Sequence, residues 1–299
     1  MPANERNAIL AELTPAFTID PPQELNSPFV FCSPHSGRVY PRNFLRQSRL
    51  SPHALRKSED YYVDELFAGV PRHGAPLIAA RFPRAYLDVN REPYELDPYL
   101  FTEPVPDYAN CQSTRVVGGL GTIARIVADG EEIYAQRMSL AAGLERIERL
   151  YKPFHRALNG LIDDAREKFG HSILIDCHSM PSSSMTAVSG RRPDIVLGDR
   201  FGASCDGRIT AFTKETFANL GYNVQINRPY AGGFITEHYG QPLQRSHALQ
   251  IEINRGLYCD EAKLSPTSGF EALRRDLEVV TSRLLFALPL LLESRQAAE

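Results

Sequence analysis

Cysteine is scarce and unpatterned in this sequence: there are five, Cys32, Cys111, Cys177, Cys205 and Cys259, and no CxxC pair. An odd number without framework spacing excludes a structural zinc ribbon and suits a reducing compartment. Long apolar runs are also missing. The longest strongly apolar stretch, Leu284 to Leu292, is too short to span a bilayer and contains Pro289. The N-terminus, MPANERNAIL, has no basic segment leading into an apolar one, so it does not read as a signal peptide, and the cytoplasm is the default expectation. Excess charge is absent: the formal net charge is -3 over 299 residues, and no basic field points to nucleic acid or an anionic membrane. A negatively charged small molecule would therefore need local arginines. Without GxxxxGK[ST] there is no P-loop, and without GxSxG there is no usual serine-hydrolase elbow.

What remains is an ordinary globular composition, 43% hydrophobic and 23% charged. No internal repeat, low-complexity tract or polar linker divides it, which favours a single domain over residues 1–299. Residues 1 to about 25 are a candidate peripheral extension. Short β-rich runs at Phe29–Cys32, Leu77–Ala80, Ala85–Val89, Ile173–Cys177, Ile195–Leu197, Asn223–Ile226 and Ala248–Ile253 predict strands covered on both faces. Ile133, Leu140, Leu144, Ile147, Tyr151, Phe154, Leu158 and Leu161 form one helical face, which Pro153 is expected to kink or divide. Ser268 with Glu271 fits a capping box ahead of the stripe Phe270, Leu273, Leu277, Val280 and Leu284. Interleaved strands and helices imply a layered α/β domain.

Two tempting motifs fail. Gly119-Leu-Gly121-Thr-Ile-Ala124 matches the dinucleotide fingerprint, but Ala128-Asp129-Gly130 interrupts the helix that should follow it. Cys177 and His178 are adjacent, but neighbours on a strand point to opposite faces, which argues against an ion pair between them.

Four segments end apolar runs with chemistry-bearing residues. Phe31-Cys-Ser-Pro-His35-Ser-Gly37 places an imidazole at a strand end, where open α/β sheets build their crevices. In Ile173-Leu-Ile-Asp176-Cys-His178-Ser179, Asp176 shares a face with His178 and could orient its imidazole. Arg84-Ala-Tyr-Leu-Asp88-Val-Asn90-Arg91 reads as a strand leaving through an amide and a guanidinium that suit a substrate carboxylate. Glu252 lies inside an apolar strand, where a carboxylate without a partner is costly, and it fits a general base.

At these segments the sequence resembles the N-formylglutamate amidohydrolase family, from about Pro28 to Tyr258. The ordered matches are Ser33–Gly37, Leu87–Arg91, Gly119–Thr122, Val127–Gly130, Asp176–Met180, Gly232-Gly233 through Thr236–Gly240, and Gln250–Arg255. The family looks like a relative of the zinc carboxypeptidases and aspartoacylases. That implies a single three-layer α/β/α domain with a mixed β-sheet, of the phosphorylase/hydrolase-like kind, and one catalytic Zn2+. The resemblance makes His35 and His178 metal ligands, Glu252 and Arg84 catalytic, and Asn90 and Arg91 the clamp for a substrate carboxylate. His238 and Tyr239 are candidates for closing the pocket. The larger group takes its carboxylate ligand from the third position after the first histidine, which here is Arg38. Asp60 is the expected replacement, with Asp64 held in reserve; one helical turn apart, they could share a face.

The resemblance implies zinc-dependent hydrolysis of the formyl amide of N-formyl-L-glutamate, or of a similar small acidic N-acyl amino acid. Formate and glutamate would be released by zinc-activated water and a glutamate base, as a step of histidine catabolism. The alternatives are a zinc deacylase or carboxypeptidase acting on another N-acyl amino acid or peptide, and a non-catalytic relative that binds an amino acid. Neither nucleic acid nor membrane is an expected partner.

Overall fold

The structure is a computed structural model that describes residues 2–127, 130–184 and 192–293. Among the described residues the strands are β1 (Phe17–Asp20), β2 (Phe29–Ser33), β3 (Leu77–Ala80), β4 (Ser172–Met180), β5 (Ile195–Gly198), β6 (Val224–Ile226), β7 (Ser246–Asn254), and the small pair β8 (Cys259–Asp260) and β9 (Ser265–Pro266). The first seven form one sheet in the order β1-β3-β2-β4-β7-β5-β6. β2, β4 and β7 run parallel, while β5 is antiparallel to β7 and parallel to β6, so the sheet is mixed and the fold is α/β. The helices are α1 (Pro2–Glu12), α2 (Arg42–Gln47), α3 (Pro52–Arg56), α4 (Val63–Leu66), α5 (Thr114–Val117), α6 (Leu140–Arg146), α7 (Lys152–Phe169), α8 (Gly207–Asn219), α9 (Phe234–Tyr239) and α10 (Gly269–Glu293).

The chain divides into two compact units. The first comprises residues up to Thr18, Pro34–Glu59 and Ala79–Leu158; the second comprises Ile19–Ser33, Asp60–Ile78 and the chain from Asn159 on.

In the second unit the period-2 alternation of the strands sorts residues between two environments. Ile173, Ile175 and Cys177 of β4, Leu249, Ile251 and Ile253 of β7, and Ile195 and Leu197 of β5 share one core with Ile209 and Phe217 of α8 and Leu273, Leu277, Val280 and Leu284 of α10. The opposite face of β4 carries Asp176 and His178, and that of β7 carries Gln250 and Glu252. Short α9 packs on both of these strands. The α10 stripe is the one expected from the sequence, but its start differs. Glu271 pairs with Arg274, and Thr267 receives the Gly269 and Phe270 N–H groups instead of a Ser268–Glu271 box.

In the first unit the expected helical face begins later than Ile133. Ser139 caps α6 through the Ala142 N–H, and Ile133 lies upstream in an extended segment bonded to Arg125 and Arg49. Pro153 does not break the run. A single π-turn, Ile147–Tyr151, absorbs it, with Lys152 N–H donating to Ile147 O just before the proline. The expected strand Ala85–Val89 is a correction. Tyr86 and Leu87 bond back to Pro83 as turns and Asp88 N–H donates to Thr122 O, so a buried apolar run here signalled a packed loop.

The N-terminal helix is tied into this unit. Arg146 is fully buried, and its Nε donates to Glu5 Oε1 at 2.6 Å, while its Nη1 donates to Tyr86 O and the Tyr134 hydroxyl. The guanidinium lies 3.9 Å from the Tyr86 ring centroid, and the Tyr86 hydroxyl donates to Glu5. Burial pushes the Glu5 carboxyl up, but the Arg146 charge and the hydrogen bonds from Tyr86, Arg146 and Asn43 outweigh it and hold it below 4.5. Arg146→Leu leaves a buried carboxylate without its counter-charge and should cost about 3–5 kcal/mol in urea unfolding. A depressed folded pKa stabilises fully above the unfolded value, and its contribution is lost as pH falls through the folded value. The stability gap between wild type and Glu5→Gln should therefore be complete at neutral pH and shrink below pH 4.5. A gap independent of pH would refute this account of Glu5.

Candidate active site

In the first unit the chemistry gathers on one carboxylate. His35, two residues beyond the end of β2, is 2% exposed, and its Nε2 lies 2.7 Å from Asp88 Oδ1. The same oxygen accepts the Asn90 N–H at 2.8 Å; Asp88 Oδ2 accepts from Arg84 Nη2 at 2.8 Å and lies 3.7 Å from Arg91 Nη2. Burial alone would raise the Asp88 pKa. His35, Arg84 and Arg91 override it and hold the carboxyl well below the ordinary range, so Asp88 is ionised. Gly37 is required beside His35, because a Cβ there would come within 2.1 Å of Phe82 O. Val39 N–H donates to Arg81 O on the same approach.

The segment carrying Asn90 and Arg91 is braced from behind. The Tyr151 hydroxyl donates to Arg91 O, and His155 Nε2 donates to Val89 O. Arg91 itself donates from Nε to Leu120 O and from Nη1 to Asn90 O, which fixes the plane of its guanidinium. Asn90 is buried, and the Arg84 side chain keeps 25% exposure. Gly119 sits in a turn at φ +77°, and the described residues 121–127 after it are not helical; Ala128 and Asp129 lie outside the described residues.

In the second unit, β4 and β7 pair Asp176 with Gln250 and His178 with Glu252. His178 is 3% exposed, with Nδ1 2.8 Å from Asp60 Oδ2 and Nε2 2.9 Å from Asp176 Oδ1. Burial would lower the imidazole pKa, but Asp176 first, and Asp60 with it, hold it well above the usual histidine range. Asp60 Oδ1 is paired with buried Arg255 at 3.1 Å; Arg255 also donates to the Ser179 hydroxyl and lies 4.7 Å from the Tyr61 ring centroid. Glu252, 7% exposed, accepts from Gln250 Nε2 at 2.9 Å. Cys177 faces the apolar core, on the side of β4 opposite His178, and burial pushes its thiol well above normal.

Asp60 and Asp64 do not share a helical face. Tyr62 takes a left-handed turn (φ 57°) between them, so Asp60 precedes α4 while Asp64 lies in its first turn. His238 and Tyr239 end α9. The exposed His238 ring stacks on Phe234 at 5.0 Å, whereas Tyr239 is buried. Asp88, Arg255 and Gln250 stand within the sequence motifs, and their partners become visible only in the fold. The signal was available for Asp88: a carboxylate between Leu87 and Val89 raises the same question as Glu252 among isoleucines.

Buried His35 of the first unit and buried Asp60 and His178 of the second are residues of the types that bind metal ions. Two imidazoles and a carboxylate, with Asp88 and Asp176 on the histidines, are the donor types and orienting partners of a zinc site, so this donor set fits the metal.

The N-formylglutamate amidohydrolase family model matches residues 27–259, which is most of the chain. The chain belongs to the N-formylglutamate amidohydrolase family. It is 28% identical over 265 residues to the N-formylglutamate deformylase of Pseudomonas putida, covering 87% of this chain and 92% of that one. The corresponding Pseudomonas aeruginosa protein is 30% identical over 205 residues, 68% of this chain and 71% of that one. Among solved structures, N-formylglutamate amidohydrolase from Ralstonia eutropha JMP134 superposes with a TM-score of 0.85 at 35% identity, over 90% of this chain and 97% of that one. Gene product Atu2144 from Agrobacterium tumefaciens, at 17% identity and a TM-score of 0.65 over 91% and 96% of the two chains, shares the fold. Among the described residues no helix is long and apolar enough to cross a membrane.

In metal-stripped protein the His178 ring should keep its proton well past the ordinary value of 6.5, and Asp176→Asn should bring its titration down. Imidazole NMR shifts followed against pH read this directly. Ordinary titration of His178 in the wild type would refute the pairing described.

Proposed function

We propose that the chain, as one catalytic domain, hydrolyses N-formyl-L-glutamate to formate and glutamate with one zinc ion. The observation that carries this reading is the family match over residues 27–259, which contains His35, Asp60, Arg84, Asn90, Arg91, His178 and Glu252. A metal held by His35, Asp60 and His178 would supply Lewis acidity to the formyl carbonyl and lower the pKa of water.

The chain's own groups do the rest. Glu252 takes the proton from the attacking water at its carboxylate and returns it to the departing amine. Its place on β7 beside His178 supports that role. Arg84 donates to the formyl oxygen as negative charge gathers there, where fixed donors contribute most. Asp88 fixes the orientation of both Arg84 and His35. Asn90 and Arg91 take a substrate carboxylate, and the bracing of Arg91 by two backbone carbonyls lets it bind without first being ordered. His238 and Tyr239 close the pocket over the substrate. The reading includes a place in histidine catabolism and in the cytoplasm.

The metal assignment has a direct test. His35→Ala and His178→Ala should each abolish stoichiometric zinc in elemental analysis, whereas His171→Ala, whose ring bonds to Phe169 O just before β4, should keep it. Full zinc in either of the first two variants would remove that residue from the ligand set. For the chemistry, Glu252→Gln should lower kcat roughly 10²–10⁴-fold with zinc content unchanged. Arg91→Lys should instead raise KM, because an ammonium lacks the bidentate fork. Near-normal turnover of N-formyl-L-glutamate by Glu252→Gln would assign the water proton to another group.

A further inference from the structure

Gln250 is 4% exposed on β7, two residues before Glu252 and on the same face of the strand. Its amide is anchored at both ends. Oε1 accepts the Gly233 N–H at 2.7 Å and is 3.4 Å from the Thr236 hydroxyl, and Nε2 donates to Glu252 Oε1 at 2.9 Å. The Gly233 N–H can only be met by an oxygen, so the amide cannot flip, and its NH₂ must face Glu252. The Gly233 end is itself fixed. Gly232 turns at φ +119°, the Ala231–Gly232 backbone lies so close to β5 that a Cβ at Gly198 would be 2.7 Å from it, and fully buried Thr236 donates to Asp176 Oδ2 at 3.2 Å.

A residue needed only to receive the Gly233 N–H could be a glutamate. Glutamine adds a donor, and that donor is spent on Glu252. We infer that Gln250 is a positioning residue: it transmits the seating of the Ala231–Thr236 segment to the Glu252 carboxylate and holds that carboxylate in one orientation. The inference rests on the reading of Glu252 as the proton acceptor.

Two substitutions separate positioning from structural support. Gln250→Met removes both bonds. Gln250→Glu is isosteric and keeps an acceptor for Gly233, but presents an acceptor where Glu252 needs a donor. With zinc-supplemented protein and N-formyl-L-glutamate, both should lower kcat by roughly 10–100-fold, the range for partners that orient a reacting group, with KM and zinc content near wild type. In the Glu252→Gln background, adding Gln250→Met should change kcat by less than about twofold, since the carboxylate it positions is gone.

Wild-type kcat in Gln250→Glu, or losses that multiply in the double variant, overturns the inference and leaves Gln250 as structural support. Undiminished turnover in Glu252→Gln alone overturns the underlying reading of Glu252 instead. Should Gln250→Met not fold, Gln250→Glu and its combination with Glu252→Gln carry the same two comparisons.

Discussion

The site depends on one constraint: an ionisable group placed in a dry interior must be met there by opposite charge or by hydrogen bonds. His35 is met by Asp88, and His178 is met on both ring nitrogens, by Asp60 and Asp176. Each carboxylate is compensated in turn, Asp88 by Arg84 and Arg91, Asp60 by Arg255, and Asp176 by the Thr236 hydroxyl. Desolvating a lone ion costs several kcal/mol, so these pairs must be complete for either unit to fold around them. The same completeness fixes each imidazole in one orientation, which a metal site requires.

The sheet makes this arrangement feasible. Strand β4 is buried throughout and β7 at every position except His247, yet their alternation sends isoleucine, leucine and cysteine to the α8–α10 core and Asp176, His178, Gln250 and Glu252 to the opposite face. Parallel register then sets Asp176 beside Gln250 and His178 beside Glu252. A one-residue slip would send the polar set into the apolar core, so the hydrophobic pattern that specifies the sheet also specifies the site.

The first unit follows a different logic. Its segment from Arg84 to Arg91 is irregular, and its order comes from specific bonds to Thr122, Tyr151 and His155. Gly37 beside Phe82 and the turn at Gly119 are positions where backbone space or a positive φ leaves no room for a larger residue. Behind them, Arg146 locks α1 into the unit through Glu5 and the Tyr86 ring.

Features with a period or a chain-local cause were legible in the string of residues. Short apolar β-rich runs marked β4 and β7, the two-residue period of a strand put Asp176 and His178 on one face, the apolar stripe marked α10, and the burial argument called for a partner at Glu252. The strand read at Ala85–Val89 shows the limit, because a buried loop and a buried strand are equally apolar when no alternation is present. It took the folded chain to bring Asp88 to His35, Arg255 to Asp60 and Gln250 to Glu252. Asp88 lies 53 positions from His35, and Arg255 lies 195 from Asp60. Asp60 and Asp64 look equivalent as a string, and the left-handed turn at Tyr62 separates them. Periodicity is written locally in a chain, whereas the partner of a buried charge is chosen by whichever distant segment the fold brings beside it.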